Sequence, residues 1–137
     1  MTSLGMYNIV VKSVVFNKNK VLLLKRTDYQ KMSAFEWDLP GGRLEPGEDP
    51  NIAIHRETLE ETGIKINLLY PFDCHYFFSK DENVDKVSIA FLSEYSSGEL
   101  KKSHEHELVD WFDIQNLPEN LTVWVKNLVK KAINLKK

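Results

Sequence analysis

An α/β fold, with a mixed β-sheet flanked by helices, is what the sequence predicts, and three observations predict it. Runs of β-branched residues alternate with turn compositions; two segments carry helical punctuation or helical apolar spacing; and the order strands, helix, strands, helix lacks the regular alternation of a doubly wound parallel sheet. With 137 residues and 42% hydrophobic side chains, the chain is expected to fold as a single domain over 1–137 with a sizeable core.

The first element is YNIVVKSVVF (7–16), which breaks at the turn composition NKNK before VLLLKR (21–26) resumes an apolar run. That reads as a β-hairpin. TDYQKMSAFEW, ending at Trp37, keeps no period and reads as a loop, and PGG after it as a turn. From 49 to 63 the punctuation is helical: Asp49 as N-cap, Pro50 at the first helical position and Gly63 as C-cap. KINLLYPFDCHYFFS (65–79) and KVSIAFLSEY (86–95) read as strands around the polar turn KDENVD, and HELVDWFDI (106–114) as a further short strand. PENLTVWVKNLVKKAINL then opens with Pro118 and Asn120 and repeats apolar residues at Leu121, Trp124, Val125, Leu128, Val129 and Ala132. Those offsets describe an amphipathic closing helix, with Asn120 preferred as its N-cap.

Charge and composition narrow the partners. A formal charge of −2 and a pI near 6.1 leave no basic footprint for a nucleic-acid polymer. The lysines at 126, 130, 131, 136 and 137 read as a solvated helix face. The single cysteine, Cys74, excludes an intramolecular disulfide and a cysteine-rich zinc site, and reads as a core or half-buried thiol. MTSLGMYN lacks the pattern of a signal peptide, and no apolar run nears the ~18 residues of a membrane span. A cytoplasmic protein without a membrane partner is expected, as monomer or homodimer.

The most informative stretch is 37–64, which packs seven Asp or Glu and two Arg into 28 positions. On a helical wheel with Glu57 at zero, Glu60 falls at about 300° and Glu61 at about 40°, whereas Ile52, His55 and Leu59 fall between about 160° and 220°. The helix is thus expected to present an acidic face and an opposite, partly apolar one. Carboxylates at i, i+3 and i+4 repel by a few tenths of a kcal/mol. A hard cation such as Mg²⁺ or Mn²⁺ reverses the sign of that crowding, since it takes oxygen ligands and is shared with substrate phosphates. Helix spacing alone leaves a solvated acidic face as the alternative.

The flanking positions are more specific. Gly42, Glu48, Arg56, Glu57, Glu60, Glu61 and Gly63 stand at the spacing G-x5-E-x7-R-E-U-x-E-E-x-G-U, where U is a bulky apolar residue. The segment 42–64 therefore resembles the Nudix box, the signature of the Nudix hydrolase family. All seven fixed identities match, a coincidence of roughly once in 10⁸ positions at average residue frequencies. Thr58 departs from the pattern where an apolar residue is asked for. WDLPGG, VLLLKR and the strand around Trp111 are also similar to segments of MutT-like members.

The resemblance implies an α/β/α sandwich and metal-dependent cleavage of a pyrophosphate linkage in a nucleoside diphosphate joined to another moiety. Glu57 and Glu61 are then implied as the main metal ligands, with Glu60 and the Gly41 carbonyl joining them. Arg56 and Glu48 are implied as a structural pair, the guanidinium also steadying Glu57. Glu105, six residues before Trp111, is the candidate for a further metal ligand or the base that deprotonates water. His104 and His106 read as surface histidines. On the substrate side the resemblance offers Arg26 for phosphate and Asn120 for a purine edge. Phe35, Trp37, Tyr76, Phe77 and Phe78 offer stacking surfaces, and strand alternation is expected to bury about half of the aromatics. The expected substrate is a small nucleotide, foremost a nucleoside triphosphate. ADP-ribose, a dinucleoside polyphosphate or another conjugate is the alternative, and a non-catalytic nucleotide-sensing domain a third.

Overall fold

The computed structural model describes residues 5–26, 35–101 and 107–137. Seven strands and two helices follow in the order β1 (Tyr7–Asn17), β2 (Lys20–Arg26), β3 (Trp37–Asp38), β4 (Gly41–Arg43), α1 (Pro50–Thr62), β5 (Ile64–Ser79), β6 (Val84–Gly98), β7 (Glu107–Asp113) and α2 (Val123–Lys136). One mixed sheet contains all the strands: β1 and β6 are parallel over ten residue pairs, and every other pairing is antiparallel.

The hairpin expected at the N-terminus forms, with Lys18 in its turn at φ 57°. Its two strands pair only beside that turn, at Phe16↔Val21 and Asn17↔Lys20. Beyond it β1 takes β4 as partner through Val10, Val11 and Lys12, whereas β2 takes β3 and β7. The sheet therefore splits, and the split opens a cleft. PGG contributes strand rather than turn alone, since Gly41 and Gly42 belong to β4. At the far side β5 is an edge strand, which is why Pro71 and three register shifts are tolerated within it.

Side chains alternate across the sheet and feed two cores. Val14, Phe16, Val21 and Leu23 meet Val125, Leu128, Val129 and Ala132 of α2 on one face. Val11, Val15 and Leu22 meet Ala53 and Ile54 of α1, with Ile64, Ile66 and Phe91, on the other. Helices thus cover both faces of a mixed sheet, the α/β/α arrangement that the resemblance implied.

The structure fixes which face of α1 docks, and three expectations need correction. The docked face of α1 is Ala53, Ile54, Thr58 and Thr62, while Ile52 (64% exposed), Leu59 (42%) and His55 face outward. Small and medium side chains let the helix come close to the sheet. Thr122, not Asn120, caps α2, its Oγ1 accepting from Val125 N at 3.2 Å. Cys74 is exposed on the edge strand. None of Tyr76, Phe77 and Phe78 is fully buried, since they stand on the edge strand β5.

Candidate active site

The seating of α1 carries Glu57 and Glu61 toward the sheet. Glu57 and Glu61 lie on the edge of the helix face that meets the sheet, directly over the two glycines of β4. Glu61 Oε1 accepts from Gly41 N at 2.8 Å. A Cβ on Gly42 would stand 2.6 Å from the Glu57 carboxyl carbon and 2.7 Å from both of its oxygens, so the carboxylate fills the space that a side chain would take. Glycine is needed there for the room it leaves.

Arg56 organises the rest. Its Nε and Nη2 make a bidentate pair with Glu48 at 2.7 and 2.9 Å, and its Nη1 lies 3.1 Å from Glu57 Oε1 and 3.3 Å from Glu60 Oε2. One guanidinium thus ties the loop ahead of α1 to two carboxylates on it. Gly63 closes the helix at φ 81°, donating to Leu59 O, in a place where a Cβ would lie 2.3 Å from Glu99 O.

The charges separate by environment. Hydrogen bonds from Arg56 hold the Glu48 carboxyl below its usual value, and Glu48 in turn keeps the Arg56 proton more firmly bound. Glu57 shifts the other way: burial raises it, against the attraction of Arg56 and with the repulsion of Glu60 and Glu48 added. A half-buried carboxylate whose charge is under-compensated is a group that gains from a nearby cation. Glu60 is different, with a side chain 59% exposed.

A cavity of about 260 Å³ opens at the split in the sheet. Lys12, Leu24, Trp37, Gly41, Glu61 and Trp124 are among its walls. Trp37 is wedged edge-on against Phe112 at 4.7 Å, with the Lys25 ammonium 5.3 Å from its ring centroid. On the far side of Trp124, His75 and Phe77 border a second, largely apolar groove.

Of the residues expected on the substrate side, Trp37 lines the cavity. Phe35 is 44% exposed at φ 72°, and its carbonyl accepts the Asn120 side-chain amide. The Asn120 carbonyl also accepts from Trp37 N at 3.1 Å, and Leu121 bridges to Trp37. Asn120 thus fastens the aromatic wall to the approach of α2. Arg26 ends β2 opposite Glu107. His104, Glu105 and His106 lie outside the described residues. Among the cavity residues that the sequence did not single out are Lys12 and Asp38, whose Oδ2 accepts from Lys12 Nζ at 3.0 Å. A lysine amid VVKSVV was the available signal.

Among the described residues, no three His, Cys, Asp or Glu groups converge tightly enough to hold an ion together. The donor set still fits Mg²⁺, which is usually held by one or two carboxylates, with waters and substrate phosphates completing its shell. Glu57 and Glu61, one turn apart and seated on the glycines of β4, match that pattern, while the Glu60 side chain is the most exposed of the three.

The chain is similar to known proteins over most of its length. The NUDIX domain family model matches residues 6–132. An ADP-ribose pyrophosphatase of Methanocaldococcus jannaschii is 32% identical over 111 residues, covering 81% of this chain and 64% of the relative. An NAD-capped RNA hydrolase NudC of Chromobacterium violaceum is 34% identical over 107 residues, covering 77% and 38%. The chain therefore spans less than two thirds of either relative's length. The crystal structure of a MutT protein from Methanosarcina mazei Go1 superposes with a TM-score of 0.79 at 26% identity, covering 99% of both chains.

Proposed function

The chain belongs to the Nudix family, hydrolases of pyrophosphate bonds that generally use divalent cations, and on that premise we propose that its substrate is a nucleoside triphosphate, cleaved with Mg²⁺ by water attack at phosphorus. The observation that carries the substrate reading is the cavity. With Trp37, Trp124 and Glu61 among its walls, this cavity of about 260 Å³ sets aromatic side chains for a base beside the acidic helix.

Glu57 and Glu61, with the Gly41 carbonyl, would hold the ion, and Glu60 would add an outer contact. When bound, the cation neutralises diphosphate charge that otherwise repels an incoming nucleophile. Arg56 fixes the Glu57 carboxylate in one place, and Glu48 fixes Arg56. Trp37 and Phe35 offer faces for the base, with Asn120 holding both in position, and Arg26 is the strand-end cation for phosphate. Glu105 is the candidate base; Glu105→Gln is expected to lower kcat without changing the thermal midpoint.

A second reading, a nucleotide conjugate such as ADP-ribose, is supported by the named activity of the 32%-identical relative and by the apolar groove beyond Trp124. A panel of nucleotides incubated with Mg²⁺ and scored by product mass separates the two. Nucleoside monophosphate plus pyrophosphate is expected from a nucleoside triphosphate. Efficient cleavage of conjugates alone would replace the first reading with the second, and tight binding without turnover would remove both.

A further inference from the structure

Lys12 is a cation where the sheet favours an apolar side chain. It lies within β1 between fully buried Val11 and Ser13, and its strand is paired on both sides, Lys12 opposite Gly41 and Ala90. Its parity is that of Val14 and Phe16, which face α2. An ammonium there carries a desolvation cost that an alkyl chain avoids. Yet within the ion pair it is the lysine that is sequestered, 15% exposed against 40% for Asp38. A surface pair made only for solubility has no need of that burial.

The geometry aims the charge. Lys12 Nζ donates to Asp38 Oδ2 at 3.0 Å and to Leu39 O at 3.3 Å, and its third N–H has no partner among the described residues. Asp38 is itself held, Oδ1 accepting from Leu39 N at 2.7 Å. The lysine stem crosses Gly41 so closely that a Cβ on that glycine would come within 2.9 Å of Lys12 Cα and Cδ. The same glycine donates to Glu61, and Lys12 and Glu61 line one cavity although they come from opposite faces of the sheet.

We propose that Lys12 is a substrate-binding residue whose ammonium takes a phosphate oxygen of the diphosphate on the β1 side of the cavity. Asp38 is its positioning residue. The inference rests on the pyrophosphohydrolase reading, because a polyphosphate is the ligand that brings several anionic oxygens to one cavity. A lysine acts there as a point charge, tolerant of which phosphate oxygen it meets.

The test is calorimetric titration of the whole chain, in Mg²⁺, with an α,β-methylene nucleoside triphosphate and with the unphosphorylated nucleoside, alongside turnover of the natural triphosphate. Lys12→Met is expected to weaken analogue binding and raise KM by roughly 10–100-fold, the loss typical of a hydrogen bond to a charged group. Nucleoside binding should stay within about twofold of wild type, and kcat should change much less than KM. If Lys12→Met melts too low to assay, Lys12→Gln, one atom shorter, keeps an uncharged donor on the Asp38 side and is expected to show the same rise. Analogue affinity within twofold of wild type in either variant overturns the inference, while wild-type turnover leaves the parent reading intact. A wild type that binds the analogue through Lys12 but cleaves no nucleotide sinks the parent reading alone.

Discussion

Gly42→Ala tests the fit between β4 and α1. The new methyl carbon would stand 2.6 Å from the Glu57 carboxyl carbon and 2.7 Å from both oxygens, where non-bonded carbons settle at about 3.5–4.0 Å. Relief therefore moves the carboxylate by about 1 Å. The clash is with the end of a flexible side chain, and Gly42 is not among the positive-φ glycines, so alanine brings little backbone strain. A displacement of that size in a positioned group costs on the order of 100-fold in rate, about 2.7 kcal/mol of transition-state stabilisation. Steady-state kcat/KM at saturating Mg²⁺, measured beside a thermal melt, should show that loss with the midpoint shifted by only a few degrees. Wild-type kcat/KM in Gly42→Ala would refute the reasoning, and so would an activity loss accompanied by gross destabilisation. Gly41→Ala is the contrast: its Cβ would meet Val11 O at 1.9 Å, backbone that cannot swing away, so that variant should fail in folding first.

Arg56→Lys loses the bidentate fork to Glu48 and the tie to Glu57; kcat/KM should fall roughly 10–100-fold, as for other outer partners of a metal site, and Lys at wild-type activity would contradict the steadying role. Because Arg56 lowers the folded Glu48 pKa, stability from that pair is complete above the unfolded value of 4.5 and is lost as pH falls from there through the lowered folded value. Melts of wild type and Glu48→Gln should therefore differ at neutral pH and converge in acid; a constant gap would count against the pair. Ile54→Ala, in the fully buried face of α1, should cost about 2–5 kcal/mol in denaturant unfolding, whereas Ile52→Ala, outward on the same helix, should cost well under 1.

What the sequence made legible was punctuation and identity. Asp49, Pro50 and Gly63 bound α1 as expected, because capping is local chemistry that needs no knowledge of the rest of the fold. The Arg56–Glu48 contact is likewise present. What escaped was tertiary. The helical wheel set Ile52, His55 and Leu59 apart from the acidic arc without telling which face docks, and the close approach of α1 to the sheet selects Ala53, Ile54, Thr58 and Thr62. Asn120 has the chemistry of an N-cap, but the helix starts two residues later and its amide is engaged with Phe35. Lys12 was hidden inside a strand pattern, since only the split of the sheet reveals that a mid-strand position faces a cavity.

The central claim is that the carboxylates over the β4 glycines hold the cation on which hydrolysis depends. Glu61→Gln removes the charge, keeps the shape and retains an oxygen able to accept from Gly41 N. Nucleoside triphosphate turnover should fall by about 100-fold or more across a Mg²⁺ titration, with circular dichroism and thermal midpoint unchanged. Near wild-type turnover in Mg²⁺ by a folded Glu61→Gln variant would contradict the account.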